Sequence, residues 1–451
     1  MSYVFDADTR ISMPQKAENA VISELLSNFT YGGEWEICFG GGENEITVGK
    51  AEKAERGSAE YAVNITDGGI YIGGADFPSA MRGFIAFLET IKYDEKNGRF
   101  YAENACLKGN PKLNFRCVHI CIFPETDLFS LKKYVRSCAF ARFTHIIFEF
   151  WGTLRLDCMS ELAWTNAYGK DEIKAIVAEA NALGIEIIPM FNHIGHASAC
   201  REICGKHVVL DQNPRLEYLF DSYGWIWNIS RSDVRELHKQ IRKELIEICG
   251  EGKYFHLGCD EAYKCGYDTE KAAEMCEYLN EISRELSECG RRPIIWHDML
   301  ISSEEFKGYT AASTKEISHM LLSELDKSFV IADWQYDVKN EPWKSSEMFK
   351  KRGFDVVCCP WDNPQNIAEA VNTADLEKMF GIIHTTWHTL EGDGFREMIF
   401  AGRVAYDAEP DLNSDIRRFY CAQVARKAMP SNGEYLKSGW MEKMISPQLW
   451  L

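Results

Sequence analysis

From Phe115 onward the chain alternates short apolar runs with longer amphipathic stretches. The runs Arg116–Ile122, Thr144–Phe150, Glu186–Phe191, Tyr254–Gly258, Pro293–His297, Phe329–Trp334, Val356–Pro360 and Gly381–Trp387 each read as a buried strand. Between them a helical period predicts helices such as Asp171–Leu183, Asp233–Cys249 and Thr269–Glu288. Eight strand–helix units in roughly 300 residues predict a (β/α)8 barrel. A doubly wound open sheet is the alternative, but no Gly-x-Gly-x-x-Gly follows the first strand.

Residues 1–112 have a different texture and predict a small α+β domain. Glu36–Phe39 and Tyr61–Ile65 look like short strands, and one helix is expected over Ser79–Ile91. Gly40-Gly41-Gly42 lacks the Lys-Ser/Thr of a phosphate loop and reads as a glycine-rich hairpin turn. The barrel is expected over 113–408. The tail, 409–451, with Trp440 and Trp450, is expected to pack helically on the barrel or against another subunit. A homodimer is compatible with that apolar end.

Composition then narrows the classes. The 451 residues are 46% hydrophobic and 26% charged, as in globular proteins. With 50 Lys and Arg against 68 Asp and Glu, the formal charge is -18, which disfavours nucleic acid and anionic membranes as partners. No run of 18 apolar residues and no secretory leader pattern is present. The 16 cysteines are scattered through apolar stretches without any C-x-x-C, the pattern of reduced, buried thiols in a cytoplasmic protein.

In such a barrel, chemistry sits where strands end. Those positions hold His119, Glu149, Trp151, Asn192, His193, His196, Asp260, Glu261, Trp296, Asp298, Trp334, Trp361, Asp362, Trp387 and His388. Five of the chain's 12 tryptophans fall among them, and flat indole faces suit the C–H face of a sugar. His256-Leu257-Gly258-Cys259-Asp260-Glu261 closes the fourth strand with adjacent carboxylates. Forced together, two carboxylates push one pKa upward, so that one can donate a proton while the other stays charged. Both reach one pocket only if the strand ends and the chain turns there, because successive strand residues point to opposite faces.

His-x-Gly-x-Asp-Glu at the fourth strand resembles the signature of glycoside hydrolase family 20, the β-N-acetylhexosaminidases, with Cys259 where the usual form has a second glycine. Phe115-Arg116 resembles the family's sugar-hydroxyl-binding arginine. Ile188 to His196 resembles its third-strand motif, which ends in Pro-Gly-His, and the small preceding domain is similar too. Departures accompany this. Met190 and Asn192 stand where acids are usual, and the second strand ends Phe148-Glu149-Phe150-Trp151. Trp361-Asp362 occupies the neighbourhood of the family's seventh-strand tyrosine. Trp387 matches the eighth-strand tryptophan, with Glu391 the candidate for the acid after it.

The resemblance implies an exo-acting enzyme that removes β-linked N-acetylglucosamine or N-acetylgalactosamine from an oligosaccharide or glycoconjugate with retention. The substrate's acetamido oxygen would attack C1, Asp260 would orient that group, and Glu261 would be the general acid and base. Arg116 would bind hydroxyls at the closed end of the pocket, Trp296, Trp334, Trp361 and Trp387 would wall it, and His196 or His256 would hold a carboxylate. No metal or organic cofactor is implied; His193 and His196 lack the remaining ligands of a zinc site. Two rivals stand beside this: a retaining β-glycosidase with Glu149 or Asp298 as nucleophile, and a barrel that binds carbohydrate without cleaving it.

Overall fold

The computed structural model describes residues 1–5, 9–14, 16, 19–30, 36–39, 45–49, 52–198 and 205–430. Eight parallel strands close into a barrel: β1 (Phe115–Ile122), β2 (His145–Phe150), β3 (Glu186–Met190), β4 (Tyr254–His256), β5 (Arg292–Trp296), β6 (Val330–Asp333), β7 (Asp355–Cys358) and β8 (Gly381–Thr385). Closure comes from β8 pairing with β1, Phe115 opposite Gly381 and His119 opposite Thr385. The chain is therefore the (β/α)8 barrel expected from its apolar runs. Each run is apolar throughout because both faces are buried, one under the helices and one in the barrel interior.

Alternation sorts the side chains. Phe115 and Cys117 of β1, Ile147 of β2, Ile188 of β3, Ile294 of β5 and Val357 of β7 fill the interior. Val118, Ile120, Ile146 and Ile187 face the outer helices. The helices form by their own caps: Asp127 accepts from the amide of Ser130 ahead of Leu128–Phe140, and Asp268 from Glu270 and Lys271 ahead of Thr269–Glu288.

Before the barrel lies a mixed six-stranded sheet in the order Glu36–Phe39, Arg10–Met13, Ile46–Gly49, Gly69–Gly74, Tyr61–Thr66, Ala105–Gly109. Helix Phe77–Leu88 covers it and is buried almost throughout. The triple glycine lies outside the described residues, but its flanking strands both run parallel to Arg10–Met13, which lies between them. Glu36–Phe39 and Ile46–Gly49 therefore do not pair with each other as the two arms of the hairpin expected there. Helix Ser414–Lys427 packs on Gly394–Tyr406 and Leu128–Phe140, and Asn28 donates to the carbonyls of Lys427 (3.0 Å) and Met429 (2.8 Å) just past its end. Trp440 and Trp450 lie outside the described residues. The described cysteines from Cys106 to Cys421 are free thiols, and no described helix is long and apolar enough to cross a membrane.

Candidate active site

The segment after β4 makes the turn that adjacent carboxylates need. Gly258 (φ 69°), Cys259 (φ 72°) and Glu261 (φ 51°) all take left-handed backbone. A Cβ on Gly258 would lie 2.1 Å from Asn192 Oδ1, and one on Gly195 would lie 2.1 Å from the carbonyl of Asp260. These two glycines let the loops after β3 and β4 close on each other. Cys259 keeps a conformation that glycine would favour, at a cost of roughly 1 kcal/mol or more.

The turn delivers both carboxylates to one imidazole. His196 Nε2 lies 3.2 Å from Asp260 Oδ2 and 3.0 Å from Glu261 Oε2. Its ring rests on Trp225 (centroids 4.2 Å), whose indole N–H donates to the carbonyl of Glu261 at 2.8 Å. Tyr263 donates its hydroxyl to Glu261 Oε1 at 2.8 Å, and the Glu261 amide donates to Asp298 Oδ2 at 2.7 Å.

Deeper in the mouth, Lys206 joins two buried carboxylates. Its Nζ lies 2.9 Å from Glu149 Oε1 and 3.3 Å from Asp260 Oδ2, and over the rings of Trp387 (5.0 Å) and Trp151 (5.8 Å). Glu149 also accepts from Asn192 (2.7 Å), Cys121 (3.2 Å) and the Trp151 indole (3.2 Å), and pairs with His119 Nε2 at 3.0 Å. His119, Cys121 and Glu149 are of metal-ligand type, with ligand atoms within 4.8 Å of one another. Here the Lys206 ammonium already supplies the positive charge beside Glu149.

Electrostatics follow from these contacts. Burial alone would raise Asp260, yet Lys206 and His196 outweigh it and hold the carboxyl far below the usual range. The hydrogen bond from His196, helped by Tyr263, lowers Glu261 despite burial and the nearby Asp260. Burial would lower His196, but Asp260 and the bonds to both carboxylates win and raise it to about 9. The raised carboxyl expected within the Asp-Glu pair is thus elsewhere: Asp298, pushed up to about 8 by burial and by Asp260. The reason is that two cations serve the pair and, among the described residues, none serves Asp298.

Aromatic rings line the opposite side. Trp334 packs on Tyr309 (4.4 Å) and Tyr336 (5.4 Å), and Tyr336 on Trp361 (5.3 Å). Trp387 donates its indole N–H to the Tyr336 hydroxyl at 2.8 Å. Trp296 is fully buried on the barrel axis, between His256 (4.4 Å) and Trp387 (5.7 Å), so it forms floor beneath the pocket rather than wall.

Arg116 is not in this site. It is the second residue of β1, at the opposite end of the barrel, and its side chain points outward while Phe115 and Cys117 point in. Its guanidinium donates to the carbonyls of Arg142 (2.7 Å) and Leu113, and lies 3.6 Å from Glu60 and over the Tyr406 ring. That overturns the sugar-binding role expected for it. His193 is likewise buried among Phe191, His238 and Phe255, away from the carboxylates. His256 accepts from the amide of Gly258 and stacks on Trp296 rather than holding a carboxylate. Lys206, Tyr263, Trp225 and Tyr336 escaped sequence reasoning because none ends an apolar strand run.

Fold and mouth define a (β/α)8 barrel whose C-terminal face pairs carboxylates with an aromatic wall. The catalytic-domain model of glycosyl hydrolase family 20 matches residues 151–365, from the end of β2 to the start of the helix after β7. Lacto-N-biosidase of Bifidobacterium bifidum is 21% identical over 315 residues, covering 65% of this chain; the chain spans 26% of that relative's length. Among solved structures, a family 20 exo-β-N-acetylglucosaminidase of Vibrio harveyi bound to N-acetylglucosamine matches with TM-score 0.65 and 15% identity, covering 93% of this chain and 73% of its own. A β-N-acetylhexosaminidase of Bacteroides fragilis matches with TM-score 0.63 and 16% identity, covering 100% and 92%. The chain thus carries a match to the glycosyl hydrolase family 20 catalytic domain over residues 151–365 and is distantly similar to members of that family.

Proposed function

We propose that this protein is an exo-acting β-N-acetylhexosaminidase that works with retention through the substrate's own acetamido group. The observation that carries the reading is the division of labour at His196. One imidazole bonds both carboxylates, and Asp260 keeps Oδ1 buried without a partner among the described residues. That oxygen suits the acetamido N–H, whose nitrogen gains positive charge as the carbonyl oxygen attacks C1. The C1–oxygen bond to the leaving group breaks as Glu261 delivers a proton to that oxygen. In the second step Glu261 takes a proton from water, the water oxygen bonds C1, and the oxazolinium ring opens. Because Glu261 and His196 share a proton across 3.0 Å, the pair is the proton store.

A separate carboxylate nucleophile has less to recommend it. Glu149 is buried and engaged by Lys206, His119, Asn192, Cys121 and Trp151. Asp298 lies buried behind the Glu261 amide. Neither is open to an anomeric carbon. Trp334, Trp361, Trp387 and Tyr336 would hold the sugar's apolar face, with N-acetylglucosamine or N-acetylgalactosamine as the sugar.

The test is release of 4-nitrophenol from its β-N-acetylglucosaminide, β-N-acetylgalactosaminide and plain β-glucoside, by the native chain, Glu261→Gln and Asp260→Asn. Turnover of N-acetyl substrates alone, lost in both variants, is expected. Turnover of the plain glucoside that survives Asp260→Asn would sink the acetamido-assisted reading.

A further inference from the structure

Deep in the mouth lies a cluster that the proposed mechanism leaves unused. His119 and Cys121 are two residues apart on β1, so their side chains share a face, and the register of the sheet sets Cys121 opposite Glu149 of β2. A sulfur and a ring nitrogen therefore meet on one carboxylate oxygen, Glu149 Oε2. Cys121 Sγ lies 3.2 Å from it and His119 Nε2 3.0 Å, while the sulfur and the nitrogen are 3.8 Å apart. Trp151 donates its indole N–H to the same oxygen at 3.2 Å. Lys206 and Asn192 hold the other oxygen, Oε1, at 2.9 and 2.7 Å. The positive charge of Lys206 thus sits on one side of the carboxylate and the cluster on the other.

The spacing is that of a metal triad. Tetrahedral zinc, with bonds of about 2.3 Å to sulfur and about 2.0–2.1 Å to nitrogen and oxygen, holds such ligands roughly 3.3–3.6 Å apart. We propose that His119, Cys121 and Glu149 form a binding site for a thiolate-preferring divalent ion of the zinc type, and that filling it suppresses the sugar site. On binding, Cys121 releases its thiol proton to solvent, and the hydrogen that His119 shares with Glu149 moves to Nδ1. The freed lone pairs on Sγ and Nε2 join Oε2 on the ion, and a water completes the four ligands. Trp151 continues to orient the carboxylate. His119 Nδ1 is buried without a partner among the described residues, so no outer acceptor strengthens the ring as a ligand, and the ion comes and goes rather than staying as a structural zinc. Exchanging one proton for a dication adds one positive charge close to a pocket whose transition state is itself cationic. The His119 ring also rests against Trp387 (4.9 Å) and Trp296 (5.7 Å), so the ion's pull on the ring reaches the pocket wall and floor. Binding is independent of the hydrolase reading above; only the suppression rests on it.

Cobalt(II) tests binding directly, because a cobalt–thiolate bond absorbs where aqueous cobalt does not. The native chain is expected to develop that charge-transfer band on titration with cobalt, to lose it when zinc is added, and to keep it when magnesium is added. Cys121→Ser keeps a hydroxyl donor for Glu149 and is expected to lose the band, although the exposed Cys106 and Cys289 remain. No band in the native chain, or a band that survives in Cys121→Ser, overturns the site. Should that variant not fold, His119→Gln takes its place: it keeps an N–H for Glu149 and removes the imidazole, and cobalt affinity equal to the native chain's overturns the site. Turnover is the second arm. Zinc is expected to lower kcat/KM for the accepted 4-nitrophenyl N-acetylhexosaminide about ten-fold or more, EDTA to restore it, and Cys121→Ser to escape. Full turnover by a chain saturated with zinc overturns the suppression. A chain that binds cobalt through Cys121 but hydrolyses nothing fails the hydrolase reading and leaves the metal site standing.

Discussion

At the N-terminal end of the barrel, Arg116 and Arg142 sit buried on the Tyr406 ring, Arg116 spending its guanidinium on backbone carbonyls and Glu60, Arg142 on Glu89. At the C-terminal end, one lysine and one histidine are shared among Glu149, Asp260 and Glu261, while Asp298 pairs with no cation among the described residues. The first arrangement anchors the sheet domain to the barrel. The second holds three carboxylates on shared cations and leaves Asp260 Oδ1 buried without a partner among the described residues, on backbone bent into left-handed φ at His196, Cys259, Glu261 and Trp387. A barrel of this kind divides stability and chemistry between its ends, and substitutions that respect or violate the division should separate cleanly.

The largest effect is expected from Glu261→Gln. Removing a general acid costs roughly 10²–10⁴ in rate, while urea unfolding should stay close to native, because Tyr263 and His196 still find an amide to bond. A comparable fall in stability would mean that Glu261 belongs to the scaffold.

Lys206→Met should blur the division, since it strips the cation from two buried carboxylates. Stability should fall by about 3–5 kcal/mol, measured by urea unfolding, and activity should fall with it as Asp260 takes up a proton more readily. Loss of activity alone would show that Lys206 acts on substrate rather than on the site's structure.

Asp298→Asn should go the other way. The unfolded carboxyl titrates near 3.9, the folded one at about 8. Below pH 4 both states hold the proton and nothing is lost. As pH rises from 4 to 8 the unfolded chain releases its proton while the folded chain keeps it, so native stability falls across that window. Asparagine keeps the acceptor for the Glu261 amide and does not titrate. The variant should match the native chain near pH 4 and exceed it by on the order of 3 kcal/mol at pH 7. A constant difference across pH would remove Asp298 as the protonated group.

Arg116→Met tests the other end. Loss of its charged hydrogen bonds should cost roughly 2–3 kcal/mol, with kcat and KM of the folded enzyme unchanged. A raised KM at unchanged stability would return Arg116 to the sugar.

That prediction also shows where sequence reading stops. All eight barrel strands were legible because doubly buried strands are unbroken apolar runs, and the Asp260-Glu261 turn because glycine and paired acids rarely follow such a run by chance. Arg116 was misplaced because it is the second residue of β1, at the N-terminal end of the barrel and away from the mouth, and its parity turns the side chain outward. Lys206 carries no pattern at all. It reaches the mouth from a loop, in Gly205-Lys206-His207, and only the closed barrel brings it to Glu149 and Asp260. Tyr336 follows β6, one strand away from where the resemblance looks for a tyrosine.

His196→Gln gives the most specific change. The native site stores its proton on the His196–Glu261 pair, and His196 titrates at about 9. Activity should therefore persist into mildly alkaline solution and decline as pH rises through that value, when the pair loses its proton. Glutamine can still donate an N–H to one carboxylate but cannot store a proton. Glu261 must then hold it alone, with the alkaline limb of kcat/KM moving toward the ordinary carboxyl range. Asp298 titrates close by, at about 8, so Asp298→Asn is the control. If the limb belongs to the pair, it stays in Asp298→Asn and moves only in His196→Gln. A limb that vanishes in Asp298→Asn would instead assign the working proton to the carboxyl behind Glu261, and the imidazole would be only a brace between two acids.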